Sequence, residues 1–139
     1  MKFTRKASAN WKGTGLDGKG AVSTGSGVLK DTPSSYKARF EDGKGTNPEE
    51  LIAAAHAACF TMQLSFLLSE KGFVPENLDA DARITFEDGN ITAIHLDLKG
   101  TLKGISQEAF EETARKAKEI CPVSKLLKAE ITLSATLTA

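Results

Sequence analysis

The sequence predicts an α+β domain of antiparallel sheet packed on two main helices, and three observations predict it. Residues 78–86 and 94–102 alternate apolar and polar side chains on either side of Asp88-Gly89-Asn90, the pattern of a half-buried hairpin. Residues 51–68 form an 18-residue run whose polar members are His56, Thr61, Gln63 and Ser65. Phe110, Ala114, Ala117 and Cys121 recur at helical spacing, a second apolar stripe. The resulting order is strands, helix, strands, helix, strand, without a repeat or a linker, and residues 1–139 are assigned to one domain.

Each element follows in turn. Phe3, Ala7, Ala9 and Trp11 alternate with Thr4, Lys6, Ser8 and Asn10, predicting a half-buried strand. Glycines at 13, 15, 18 and 20 mark a turn, and residues 21–24, 27–30 and 36–40 read as short strands. Asn47-Pro48-Glu49-Glu50 starts a helix. Asn47 can cap it, Pro48 suits the first helical position, and Glu50 completes a capping box. That helix runs to about Lys71 and stops at Gly72. The run is too rich in alanine and polar residues to suit a bilayer, so it is expected to be a central helix buried on several sides.

In the hairpin, Leu78, Ala80, Ala82, Ile84 and Phe86 face one way, with Ile94, Leu96, Leu98 and Leu102. Ser106 caps the second helix, and Pro122 breaks the chain at Cys121. A short helical piece follows. The last strand has Ala129, Ile131, Leu133, Ala135 and Leu137 on one face.

Composition narrows the function. Eighteen basic residues balance eighteen acidic ones, with no run of like charge, which argues against nucleic acid or an anionic membrane as a partner. The first twelve residues hold no apolar signal segment, so a reducing cytoplasmic setting is expected. Two cysteines, 62 positions apart, are too few for a disulfide framework or a four-thiolate zinc site. They are inert core residues or they do chemistry.

Neither cysteine decides the matter alone. Cys59 lies about twelve residues past the Asn47 cap, beyond the reach of the helix dipole. Burial there would raise its thiol pKa, so a reactive Cys59 needs a cation from elsewhere in the fold. Cys121 ends one helix where another begins. It is either a core residue on the Phe110 stripe or a cap whose neighbouring N–H groups favour a thiolate.

Longer motifs say more. The string from Arg39-Phe40-Glu41-Asp42-Gly43 through Asn47-Pro48-Glu49-Glu50 to His56-Ala57-Ala58-Cys59-Phe60 closely resembles the osmotically inducible protein C branch of the OsmC/Ohr family. Cys121-Pro122-Val123-Ser124-Lys125-Leu126-Leu127 is similar to that family's second signature. The Trp11 strand and the Gly25–Gly27 region are similar too, so the resemblance covers the whole chain.

The resemblance implies a cofactor-free thiol peroxidase of fatty-acid and other organic hydroperoxides, active in oxidative and osmotic stress defence as an intertwined homodimer. By motif match, Cys59 is the peroxidatic thiol, Cys121 the resolving thiol, Arg39 the activating cation and Glu49 its partner. An external dithiol would reduce the Cys59–Cys121 disulfide. Glu49 and Cys59 are ten residues apart, roughly 15 Å on one helix. If both serve one active site, a second chain supplies one of them.

Other features weigh less. His56 and Cys59 share a helix face, but a zinc site would need further ligands and His95 and Cys121 are all that remain; none is expected. His95 falls on the polar face beside Asp97 and is expected to be solvated. The competing reading is a redox-sensing or ligand-binding module, in which the thiol pair switches without turnover.

Overall fold

A computed structural model describes residues 1–138. The chain divides into two compact units, Met1–Leu51 and Ile52–Ala139.

The first unit carries strands β1 (Ala7–Lys12), β2 (Lys19–Thr24) and β3 (Thr32–Ser34) in an antiparallel sheet of order β1-β2-β3. Trp11 pairs with Gly20 across β1 and β2. A Cβ at Gly20 would stand 2.6 Å from the Trp11 ring, so only glycine lets the indole lie on the strand. Two expectations are corrected in this unit. β1 is exposed along its whole length rather than half-buried. Residues 36–40, expected to be a strand, form a short helix, α1 (Tyr36–Phe40). Ser35 causes the second difference, because its hydroxyl accepts the Ala38 N–H at 3.0 Å and caps the turn. The expected strand at 27–30 is instead a chain of turns and bends, ending at Asp31 with φ 48°.

Helix α2 (Pro48–Glu70) begins where expected. Asn47 Oδ1 accepts the Glu50 N–H at 2.8 Å, the predicted cap. The reciprocal half of the capping box is replaced: Glu50 Oε2 accepts from the Thr46 hydroxyl at 2.7 Å instead.

The second unit is built on β4 (Asn77–Glu87), β5 (Asn90–Thr101) and β6 (Glu130–Thr138), with α3 (Gln107–Ile120) and α4 (Pro122–Leu126) between β5 and β6. β4 and β5 pair antiparallel through a turn in which Asp88 and Gly89 have φ 48° and 79°, the left-handed pair that a two-residue hairpin needs. β6 runs parallel to β5, so the sheet is mixed where antiparallel order was expected. The α3–α4 segment returns the chain to the end of β5 where that strand began, and a strand so delivered pairs parallel.

The core lies on one face of this sheet. Leu96, Leu98 and Leu102 meet Phe60, Leu64 and Leu68 of α2 and Phe110, Ala114 and Ala117 of α3. Each fully buried leucine or phenylalanine contributes about 1.5–3 kcal/mol. Gly100 keeps this packing close, since a Cβ there would collide with the Phe110 ring. Helix α2 is long and apolar enough, by length and composition, to cross a membrane. The expectation that it is buried on several sides is corrected. Its buried residues are the single stripe His56, Phe60, Leu64 and Leu68, while Met62 and Phe66 are 64% and 61% exposed. The core offers the helix one face to pack on.

Candidate active site

The two packed stripes end in chemistry. Cys121 extends the Phe110, Ala114, Ala117 stripe by one turn and is fully buried. Cys59 sits on α2 beside Phe60, partly buried. The two thiols are free, and their sulfurs share a hydrogen bond at 2.8 Å. Cys121 is thus a core residue whose thiol faces a second thiol.

Pro122 explains how Cys121 gets there. It cannot continue α3, and its fixed φ opens α4 at the first helical position. Cys121 is at once the C-cap of α3 and the N-cap of α4. Of the two readings open for Cys121, the capping one is not seen as a side-chain bond, since its side chain makes no cap hydrogen bond. The free N–H of α4 goes elsewhere: the Val123 backbone bonds Cys59. Sequence reasoning missed Val123, since a main-chain donor leaves no residue signature.

Burial pushes the Cys59 thiol above its ordinary value, as expected. The hydrogen bond and the charge of Cys121 push the same way, and the Val123 N–H opposes them. The net direction for Cys59 is upward, so by itself it is a poor source of thiolate near pH 7.

His56, one turn before Cys59, is also fully buried. Its Nε2 lies 2.7 Å from Ser124 Oγ of α4, a partner 68 positions away that spacing alone could not reveal. His95 bridges β5 to β6, with Nδ1 2.6 Å from Thr132 Oγ1 and Nε2 3.2 Å from Ser134 Oγ. Among the described residues no group of three or more His, Cys, Asp or Glu is arranged to hold a metal ion.

The first unit holds the expected cation and its partner. Arg39 donates to Glu49 through both arms of a fork, Nε to Oε1 at 2.9 Å and Nη2 to Oε2 at 3.1 Å. The fork is assembled by α1 and the first turn of α2, which Asn47 ties together by donating Nδ2 to the Ala38 carbonyl at 3.1 Å. Gly45 (φ 121°) lets the intervening loop close onto Pro33. Arg39 is 38% exposed, so the ion pair adds little stability. Its effect is orientation, since a bidentate carboxylate fixes the guanidinium plane. The guanidinium carbon also lies 5.1 Å from the Phe40 ring centre, and a cavity of about 330 Å³ beside it is walled by Trp11, Tyr36, Phe40 and Pro48.

An α+β fold with two thiols in contact at the junction of its helices defines a cysteine-based redox protein. Residues 41–136 match the family described as OsmC-like protein, and the chain belongs to that family. It is 48% identical over 137 residues to Peroxiredoxin OsmC of Escherichia coli (strain K12), covering 96% of each chain. It is 32% identical over 102 residues to organic hydroperoxide resistance protein-like 2 of Staphylococcus epidermidis, covering 71% of this chain and 72% of that one. Among solved structures, OhrB of Bacillus subtilis, an organic hydroperoxide resistance protein, superimposes with a TM-score of 0.70 at 28% identity, covering 98% of each chain. An OsmC-like protein from Mycoplasma pneumoniae shares the fold, with a TM-score of 0.78 at 14% identity over 100% of each chain. The chain is a cysteine-based peroxidase.

Proposed function

We propose that the protein reduces organic hydroperoxides to alcohols through a Cys59 sulfenic acid and a Cys59–Cys121 disulfide. The observation that carries this reading is the 2.8 Å approach of the two sulfurs. The Cys59 thiolate attacks one peroxide oxygen, the O–O bond breaks, and the leaving alkoxide takes a proton to become the alcohol. The Cys121 thiol then attacks the sulfenic sulfur, water leaves, and the disulfide forms. An external dithiol reduces it by exchange and is itself oxidised.

Arg39 and Glu49 supply what the thiol pair lacks. A raised Cys59 pKa calls for a cation, and a fork-held guanidinium can both stabilise the thiolate and donate to the peroxide oxygens. Ten residues of α2 separate Glu49 from Cys59, so we assign the Arg39 that serves Cys59 to the second chain of a homodimer. The exposed Met62 and Phe66 of α2 support such a dimer, since a second copy would cover them. The aromatic wall beside Arg39 suits an apolar peroxide better than hydrogen peroxide. The test is turnover of cumene hydroperoxide with dithiothreitol, compared with hydrogen peroxide. A preference for the organic substrate is expected; no dithiol-dependent consumption of either would overturn the reading.

A further inference from the structure

The chemistry above leaves one buried titratable side chain unused. His56 is fully buried, its Nε2 is bonded to Ser124 Oγ at 2.7 Å, and its Nδ1 has no hydrogen-bond partner among the described residues. An imidazolium must place two N–H groups, and here one nitrogen has a neighbour, so the ring is neutral. An orphaned N–H costs more than an orphaned lone pair. The favoured tautomer therefore puts the proton on Nε2, which donates to Ser124, and leaves Nδ1 bare. Burial acts in the same direction, holding His56 below its ordinary pKa.

Ser124 stands at a sensitive place. It follows Val123, whose N–H bonds Cys59, and comes three positions after Cys121. The helix that carries Val123 and Ser124, with Cys121 as its N-cap, is five residues long, too short to hold itself by its own hydrogen bonds. No side-chain cap secures its start. A contact from another element can fix it, and the buried bond between His56 of α2 and Ser124 is such a contact.

We propose that His56 is a positioning residue: by holding Ser124 it pins α4 against α2, and so sets both the Val123 N–H on Cys59 and the reach of Cys121 to it. The proposal rests on the peroxidase reading for the roles of the two thiols. Its content is geometric: lose the tie, and α4 drifts, Cys59 loses its N–H donor, and the disulfide closes more slowly.

Ser124→Ala is the sparing test, because it removes one hydroxyl and leaves the backbone intact. The pH dependence of Cys59 alkylation by iodoacetamide, read by peptide mass spectrometry, gives the thiol pKa without any peroxide. Ser124→Ala is expected to cut the alkylation rate at pH 7 by about threefold or more, through a raised pKa. It should also slow diamide-driven Cys59–Cys121 closure. His56→Leu should do the same, the double variant no more than either single one, and His56→Gln, whose amide nitrogen can still reach Ser124, should recover part of the loss. A Ser124→Ala protein with the wild-type alkylation profile and closure rate overturns the proposal, even if its melting temperature falls. A wild type that alkylates as expected but turns over no hydroperoxide overturns the peroxidase reading alone.

Discussion

Cys121 lies 2.8 Å from Cys59, sulfur to sulfur, and this contact makes Cys59 harder to ionise while it makes the disulfide easier to form. In the mechanism proposed above, the same neighbour opposes the first chemical step and prepares the second. In that mechanism a cation offsets the first effect, and Arg39 is the one proposed for it.

Cys59→Ser should abolish hydroperoxide turnover, since a serine hydroxyl is not appreciably ionised near neutral pH. The check is dithiothreitol-dependent loss of cumene hydroperoxide. Most of the activity remaining would remove Cys59 from the mechanism.

Cys121→Ser should consume about one equivalent of hydroperoxide per chain and then stall. Mass spectrometry of the Cys59 peptide should show oxygen additions rather than a disulfide. Sustained turnover in this variant would mean that an external thiol resolves the sulfenic acid directly.

Arg39→Ala should raise the Cys59 pKa further, by about one unit or more, and slow the single-turnover reaction at pH 7. Part of the loss should return at higher pH, where the thiol ionises unaided. Arg39→Lys should rescue incompletely, because an ammonium cannot hold the two-armed contact with Glu49. A wild-type pH–rate profile in Arg39→Ala would rule the residue out.

Two pKa shifts make stability depend on pH with opposite signs. His56 is depressed by burial, so its contribution is present above its unfolded value of about 6.5 and is lost as pH falls below it. Cys59 is raised, so its contribution is present below the unfolded thiol value, about 8.5, and is lost as pH rises past the folded one. Melting temperature against pH should fall at both ends. His56→Gln should flatten the acid limb and Cys59→Ser the alkaline one. An acid limb identical in wild type and His56→Gln would show that burial of His56 is not what costs stability there.

Much of this was legible in the residues. The hairpin was written in the alternation around Asp88-Gly89, and the start of α2 in Asn47-Pro48. Short elements were not. Tyr36, Ala38 and Phe40 alternate as a strand would, and five residues are too few for a helical period to declare itself; the signal was Ser35, one position upstream. The parallel pairing of β6 is invisible to periodicity, which reports which face a residue takes and not which way its neighbour runs. At the site, the motifs named Cys59, Cys121, Arg39 and Glu49, and the fold brings the two thiols together and, separately, Arg39 to Glu49. The contributions of Val123 and of the His56–Ser124 bond come from tertiary contact and had no local pattern to carry them.

The parallel ladder of β5 and β6 also bears on the order of events during synthesis. Ala93 pairs with Glu130 and Thr101 with Thr138, so this ladder closes only after the intervening chain has been made, whereas the β4–β5 hairpin can close at once around its two-residue turn. Long-range closure of this kind is slow relative to local pairing. The segment bearing Cys121 is part of that late connection, so a chain emerging from the ribosome presents Cys59 well before Cys121 can meet it. The contact between the two thiols is therefore assembled among the last features of the fold, and a chain arrested before α3 would carry Cys59 without the neighbour that packs against it.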